Sequence, residues 1–347
     1  MELRAEQISQ GATLAADGIP LHFGNPLAEY QAALSGAILL DRSHEARLEL
    51  SGASAIDLLH RISTNDLTGL SVNEGRPTLF TNANARILDR VAVYRRENVL
   101  LLLGEPGRGA ALRTYLQRNI FFGDDVQVND LSLRTCQLEL HGPAAPEVIA
   151  KVVPDSATLN VMTSCEAEIG GYAVYLARRK PVCQQRWTVM VSIEGAGALW
   201  SLFSAQGAQP AGSLIYNVLR VRAGLPSVGR ELSEQFIPLE IGLWDEVSFT
   251  KGCYTGQEII ARMESRNRLA KTLVRLQLEQ HVDPPAPIVH EGRGVGQLTS
   301  CVTAPDGEIF ALGVIKPALA EPGQGFDIGD THATVIALAG AQPLHER

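Results

Sequence analysis

The sequence predicts an α+β fold that ends in a small antiparallel β-barrel. Through most of the chain, hairpin-like strand segments and helical segments follow one another without the regular strand–helix alternation that a parallel sheet requires. After residue 270 the pattern changes to short strands separated by glycines, of which 294–299 is an example, and this pattern favours a closed barrel. We therefore expect an α+β region over residues 1–265 and a barrel domain over residues 270–347.

Length, composition and charge agree with this fold class. The 347 residues are 45% hydrophobic and 20% charged, which is ordinary for a soluble globular protein of two or three domains. The net charge of -8 argues against non-specific binding to nucleic acid, which needs a basic surface. No apolar run reaches the roughly 18 residues of a membrane helix, and residues 1–6 do not resemble a secretory signal or a transit peptide. We expect a cytoplasmic protein with no nucleic-acid or membrane partner.

The five cysteines do not form a recognisable disulfide or metal pattern. Their number is odd, their spacings are wide and no Cys-x-x-Cys occurs. They also lack the close spacing of known iron–sulfur motifs, and the histidines include no His-Glu-x-x-His. We therefore expect no resident metal and no cluster held stably by this chain alone. The cysteines are Cys136, Cys165, Cys183, Cys253 and Cys301.

The first hundred residues mix helical and strand patterns. Apolar spacing predicts a helix around 28–40, a half-buried strand at 46–50 and a helix over 54–62. A hairpin with strands up to residue 103 follows from residue 78. Asp89 interrupts an apolar strand of this hairpin. A solvent-facing position, or an ion pair with Arg86 or Arg90, would explain it without any function.

The middle of the chain continues the same mixture. Patterns of period two and apolar runs predict strands, and apolar positions three and four residues apart predict helices. The predicted strands lie at 126–128, 136–142, 172–176 and 188–191, and the predicted helices at 110–117, 143–151, 196–205 and 213–223.

Residues 248–262 concentrate more reactive chemistry than any other stretch. Thr255 and Glu258 have the spacing of a capping box, which predicts a helix whose N-cap is Thr255. Cys253 would then lie just outside the N-terminus of that helix, where partial positive charge favours an anion. Lys251 adds a full positive charge two residues away. Both effects lower the pKa of a thiol, so the pattern predicts a reactive Cys253.

A purely structural explanation of the same residues is also open. A single cysteine often serves as a small buried hydrophobic residue, and capping boxes are common where helices begin. The structural explanation predicts a buried Cys253, whereas the reactive one requires an exposed thiol.

The octapeptide Lys251–Glu258, followed by Ala261 and Arg262, resembles the signature of the YgfZ family. Members of this family are folate-binding proteins that support iron–sulfur proteins, and they are similar in fold to the aminomethyltransferase (T-protein) of glycine cleavage. Shorter segments that resemble the T-protein lie at 41–43, 63–67 and 296–300. The resemblance implies a T-protein-like fold with intertwined subdomains in front of the barrel.

The resemblance also implies a site and a cofactor. Tetrahydrofolate or a derivative would fill a central cavity lined by Asp89 and Glu240, and any catalysis would depend on Cys253 and Lys251. Asp89 stands in the region where the T-protein family places an acidic residue against the folate. The residues expected to contact the folate are Asp89, Glu240, Tyr254, Gln257 and Arg262.

One departure from the T-protein pattern bears on function. Arg222 stands where the T-protein has a glutamate that contacts the pterin. An arginine offers donors only and reverses the charge, so aminomethyl transfer is disfavoured. A basic run follows the cysteine motif and is either a solvated helix face or a contact for the folate glutamate tail. It consists of Arg262, Arg266, Arg268 and Lys271.

Three functions follow from these expectations. The first is a tetrahydrofolate-dependent factor for assembly or repair of iron–sulfur clusters, with iron–sulfur proteins or assembly factors as partners. The second is an aminomethyl- or methyltransferase of the T-protein type. The third is a cysteine-dependent acyl enzyme, for which no histidine adjacent to Cys253 in sequence supplies a base.

Overall fold

Helices and strands follow one another irregularly in the computed structural model, which describes residues 2–266 and 269–341. The described helices are α1 Glu2–Ser9, α2 Pro26–Ser35, α3 Ala55–Ile62, α4 Gly109–Arg118, α5 Ala145–Ala150, α6 Ile193–Ala205, α7 Ser213–Ala223 and α8 Gln257–Ser265. Short 3-10 turns lie at Pro154–Thr158, Pro238–Ile241, Trp244–Glu246 and Pro317–Leu319. Over the described part of the chain, no helix is both long enough and apolar enough to cross a membrane.

The strands include both long hairpin strands and short edge strands. They are β1 Thr13–Leu14, β2 Pro20–His22, β3 Ile38–Asp41, β4 Glu45–Ser51, β5 Gly75–Thr81, β6 Ile87–Arg95, β7 Val99–Pro106, β8 Gln127–Asp130, β9 Thr135–His141, β10 Thr163–Ile169, β11 Tyr172–Arg178, β12 Arg186–Ser192, β13 Gln209–Pro210, β14 Thr272–Leu278, β15 Ala286–His290, β16 Arg293–Thr303, β17 Ile309–Ile315, β18 Gly325–Ile328 and β19 Thr331–Leu338.

The chain forms two compact units whose segments alternate along the sequence. The first unit contains the residues up to Ala55, Leu70–Arg76 and Ala92–Asn217, and the second contains Ile56–Gly69, Pro77–Val91 and the residues from Val218 onward. The mixture of helices and sheets with a terminal barrel confirms the fold class. Intertwined subdomains in front of the barrel stay a prediction. The domain division into 1–265 and 270–347 stays a prediction.

The first unit is organised around a six-stranded sheet of order β10-β11-β12-β9-β3-β13. One face of this sheet is apolar and carries Leu140 and Trp187, which share a buried core with Trp200 of α6. The other face buries charge, because Glu139 of β9 accepts hydrogen bonds from the Arg186 guanidinium of β12 at 2.8 and 3.0 Å. The sheet therefore has one apolar face and one face that buries charged side chains.

The second unit contains the barrel, which closes in the order β14-β17-β16-β15-β18-β19 with β14 paired to β19. Alternate residues of its strands point inward, among them Leu276, Ile288, Leu298 and Phe326, and they form one buried core. The same unit also contains α8 and most of α3, together with the turns around residues 238–246. Every candidate site residue lies in this unit.

Most predicted elements are confirmed, with one clear error among the early ones. The helix expected around 28–40 ends at Ser35, and residues from Ile38 form strand β3 instead. Gly36 interrupts the helix, and the apolar residues Ile38, Leu39 and Leu40 are all buried in the sheet. A continuous apolar run is compatible with a helix or a buried strand, and tertiary packing decided between them.

Candidate functional site

Helix α8 begins one residue later than the capping box predicts. Gly256 is its N-cap, with φ 87°, and no side chain caps the helix. The prediction of Thr255 as the N-cap is therefore wrong. The carbonyl of Thr255 instead accepts a hydrogen bond from the Thr81 hydroxyl at 2.6 Å, which ties this residue to strand β5.

Gly256 occupies a position that a side chain would not fit. A Cβ atom at this residue would lie 2.8 Å from the Cα of Ala85 and 2.8 Å from the carbonyl oxygen of Asn82. Its left-handed φ is also a conformation that L residues rarely adopt. The turn between β5 and β6 therefore packs directly on the backbone where α8 begins.

Lys251 anchors the other end of the loop. Its side chain is buried, and Nζ donates to the carbonyl oxygens of His60, Ser63 (2.7 Å) and Asn65 (2.9 Å). These carbonyls lie at and beyond the C-terminal end of α3, where main-chain acceptors lack helical partners. Burial lowers the pKa of Lys251 to about 8. The lysine therefore has a structural role that the sequence did not predict, and its effect on the thiol stays a prediction.

Cys253 lies between these two anchors and is exposed. The side-chain amide of Gln257 donates to the carbonyl of Lys251 at 3.3 Å, which closes the loop around the cysteine. Tyr254 points inward, and Lys251 Nζ lies 5.4 Å from the centre of its ring. Burial raises the pKa of the Tyr254 phenol, so it stays protonated at neutral pH. The loop therefore presents its thiol outward while the residues on either side are held in place.

Asp89 is buried in β6, with 7% of its surface exposed, so a solvent-facing position does not explain it. Its carboxylate accepts a hydrogen bond from the main-chain N–H of Arg90 at 3.1 Å. The Arg90 side chain donates to Glu246 at 2.8 Å, and that glutamate is buried. Sequence analysis missed this ion pair because its partners are 156 residues apart.

Glu240 is buried in the 3-10 turn Pro238–Ile241. Its carboxylate accepts from the N–H of Ile237 at 3.1 Å and lies 3.6 Å from the Arg86 guanidinium. Burial raises the pKa of this carboxyl group. Glu240 thus caps its own turn, and a contact with folate stays a prediction for it and for Asp89.

Thr64 and Asn65, which follow α3, make buried hydrogen bonds near the carbonyl groups that Lys251 contacts. The Thr64 hydroxyl donates to the carbonyl oxygen of Glu246 at 2.8 Å, and the Asn65 amide donates to that of Pro77 at 2.8 Å. Both residues are buried. Their resemblance to a T-protein segment was the available signal, but nothing local in the sequence indicated which groups they bind.

The described residues of the basic run, and Arg222, have different surroundings. Arg262 and Arg266 are exposed on and after α8, and Arg268 lies outside the described residues. Lys271 Nζ lies 5.5 Å from the ring centre of Phe236. Arg222 is half-buried, with its guanidinium 5.4 Å from the ring centre of Phe310 in the barrel. Within residues 2–266 and 269–341, no group of three His, Cys, Asp or Glu side chains is placed to hold a metal ion.

Comparison with solved structures identifies the class of fold. The chain matches the crystal structure of the glycine cleavage system aminomethyltransferase T from Bartonella henselae with a TM-score of 0.86, over 97% of this chain and 96% of that one, at 22% identity. The protein therefore has a T-protein-like fold.

The sequence comparisons then give the family. The family described as the GCVT N-terminal domain matches residues 19–251, and the chain belongs to it. A chloroplastic Arabidopsis thaliana protein, provisionally named a transferase, is 30% identical over 94% of this chain and 76% of its own length. The aminomethyltransferase of Synechocystis sp. is 26% identical over 94% of this chain and 90% of its own length.

Proposed function

We propose that the protein is a cytoplasmic, tetrahydrofolate-binding factor of the YgfZ type that supports iron–sulfur cluster assembly or repair through Cys253. The observation that carries the proposal is the exposed thiol of Cys253 on a loop anchored by Lys251 and Gly256. A residue kept for packing would be buried, whereas a residue that engages a partner must reach solvent. The YgfZ-like octapeptide around it supplies the reason to connect that thiol with iron–sulfur proteins.

The folate part of the proposal rests on the acceptor chemistry of the second unit. The amino-pyrimidinone edge of a pterin presents N–H donors, and buried carboxylates are the acceptors that such donors require. Asp89 and Glu240 are both buried carboxyl groups in that unit. In our proposal they would hold the pterin, and Tyr254, Gln257 and Arg262 would contribute further contacts. Bound folate would supply one-carbon chemistry.

A single thiol limits what the chain does with a cluster. Clusters are held by several cysteine ligands, and Cys253 is the one exposed cysteine among residues 2–266 and 269–341. The proposal therefore makes the cluster a transient substrate, which Cys253 binds through one iron while a partner protein supplies the other ligands. Alternatively, two copies of the chain would share one cluster, and each copy would supply its Cys253 as a ligand.

An aminomethyl- or methyltransferase is the second candidate. The Synechocystis relative, similar over 90% of its length, is named an aminomethyltransferase. Against this candidate, the resemblance aligns Arg222 with a glutamate of the T-protein, and the Arg222 guanidinium lies over the Phe310 ring. A glycine-cleavage assay with lipoylated carrier protein separates the candidates, because the proposed factor should release no ammonia or methylene-tetrahydrofolate above background.

The direct test is calorimetric titration with tetrahydrofolate. The parent chain should bind it, and Asp89→Asn and Glu240→Gln should weaken binding about tenfold or more, since each removes a charged acceptor without changing its size. Glu258→Gln, an exposed residue of the cysteine motif, is the matched control. If both buried variants bind like the parent while retaining its circular dichroism spectrum, the proposed pocket is wrong.

A second experiment tests the iron–sulfur role through the Cys253 thiol. An oxygen-damaged [4Fe–4S] enzyme should recover activity faster with the protein and tetrahydrofolate than without them, and Cys253→Ser should remove the gain. Cys165→Ser is the control, because that cysteine is half-buried in the other unit. Equal recovery with the parent and with Cys253→Ser would refute the assignment of the thiol.

A further inference from the structure

A second cysteine, on the barrel, has an imidazole at hydrogen-bonding distance. Cys301 Sγ lies 3.6 Å from Nδ1 of His281, and His281 Nε2 lies 3.4 Å from a carboxylate oxygen of Asp283. Cys301 belongs to strand β16, whereas His281 and Asp283 lie on the loop between β14 and β15. In space, the thiol of Cys301 thus contacts a base, His281, and this base contacts a group that can orient it, Asp283.

The carboxylate of Asp283 favours one of the two tautomers of the His281 imidazole. The negative charge of Asp283, 3.4 Å from Nε2, favours the tautomer with its proton on Nε2, and in that tautomer the lone pair of Nδ1 faces the thiol. The hydroxyl of Thr303 also lies 3.3 Å from Nδ1 and is exposed, as His281 is. The base therefore has an acceptor atom directed at Cys301 and a second side open to solvent.

Cys301 is buried, and its thiol therefore needs a base in order to react. Only 8% of the residue is exposed, and burial raises the pKa of its thiol. Asp283 acts in the same direction, while Arg230 and the main-chain N–H groups of Val282 and Val302 oppose it. At neutral pH the thiol keeps its proton, so its reaction requires an acceptor at the moment of attack.

We propose that Cys301, with His281 as base and Asp283 as the residue that orients it, is a thiol–disulfide exchange site that takes small disulfides. The Cys301 proton passes to Nδ1 of His281, and the thiolate attacks one sulfur of the disulfide R–S–S–R. The S–S bond breaks, a new bond joins Cys301 to S–R, and the leaving thiolate R–S⁻ takes the proton from His281. The products are the mixed disulfide and R–SH, so atoms and electrons balance without a further reactant.

The site is independent of the folate proposal and of Cys253. Cys136 and Cys165 serve as internal controls for Cys301, because burial raises the pKa of their thiols as well. Both of these cysteines are half-buried and therefore more accessible than Cys301. Among the described residues no histidine acts on either thiol, so both should nevertheless react more slowly.

The test uses the full chain and hydroxyethyl disulfide, with peptide mapping by mass spectrometry between pH 5 and 9. At pH 7 we expect Cys301 to form its mixed disulfide about tenfold faster than Cys136 or Cys165. His281→Gln keeps the side-chain volume and should slow Cys301 about 100-fold, as loss of a general base does. Asp283→Asn should slow it by a smaller factor, about three to ten, and change the pH profile of the rate.

The outcomes are distinct. The proposal is overturned if Cys301 reacts no faster than Cys136, or if His281→Gln leaves its rate and its pH profile unchanged. Because His281 is exposed, the glutamine variant is expected to fold, and its thermal unfolding checks this. A Cys301→Ser chain that still acquires the label on the same peptide would show that another group reacts, which also overturns it.

Discussion

The ammonium group of Lys251 donates to the carbonyl oxygen of Ser63 at 2.7 Å, although the two residues are 188 positions apart. The same Nζ also donates to His60 and Asn65, so one buried side chain satisfies three main-chain acceptors around the end of α3. The residue that precedes Cys253 by two positions thus connects its loop to an element from the first quarter of the chain. The loop that presents the thiol has a fixed position for this reason.

Replacement of Lys251 by methionine should destabilise the protein. The variant keeps most of the volume and removes three charge-assisted donors from buried acceptors, so we expect a loss of about 2 kcal/mol or more in the free energy of unfolding. Denaturant unfolding measures it. Lys271→Met is the control, since that lysine is exposed and should change stability by less than about 0.5 kcal/mol. Equal midpoints for the two variants would contradict the anchoring role.

The two glycines of the cysteine motif should respond differently to alanine. Gly256→Ala forces a Cβ to within 2.8 Å of Ala85 and Asn82 at a φ of 87°, so a loss of about 2 kcal/mol is expected. Gly252 has no atom within 4 Å of its would-be Cβ, and Gly252→Ala should stay within about 0.5 kcal/mol of the parent. Thermal unfolding compares them, and similar losses in both would mean that the contact with the β5–β6 turn is unimportant.

The sequence predicted those features that depend on neighbours along the chain. Helix α7 has the predicted bounds, 213–223, because its apolar spacing and Gly224 are local signals. The capping box at Thr255 was a local signal as well, but a packing contact made Gly256 the N-cap instead. The partners of Lys251 could not be predicted, since nothing near the lysine indicates which distant carbonyls it will satisfy.

The buried charge of the first unit should make the protein sensitive to acid. Burial alone would raise the pKa of Glu45, but the guanidinium groups of Arg42, Arg179 and Arg186 outweigh it and lower the pKa to about 2, from an ordinary 4.5. The ionised carboxylate therefore stabilises the folded state above about pH 4.5, and this contribution is lost as the pH falls towards 2.

Glu45→Gln should therefore flatten the dependence of stability on pH in that window. At pH 7 the variant should be less stable than the parent, because it leaves buried arginines with less compensation. Unfolding curves at pH 7, 4 and 3 measure both effects, with the exposed Glu168→Gln as control. If the slope between pH 4 and pH 3 is the same in all three proteins, the ion pairs of Glu45 do not stabilise the fold as argued.

The exposure of Cys253 makes the most direct prediction about the site. Iodoacetamide at pH 7 should modify it faster than the other four cysteines, which are buried or half-buried, and burial raises the thiol pKa of three of them, Cys136, Cys165 and Cys301. Peptide-mapped rates measure this, and bound tetrahydrofolate should slow Cys253 if the folate lies beside the loop.

Stability provides the second half of that test. Cys253→Ala should change the free energy of unfolding by less than about 0.5 kcal/mol, because an exposed side chain leaves no cavity. Cys301→Ala removes an atom from the barrel core and should cost about 1 kcal/mol or more. A Cys253 that alkylates no faster than Cys136, and whose loss costs as much as that of Cys301, would show that the residue packs the loop, and the reactive group of the protein would then have to be sought elsewhere.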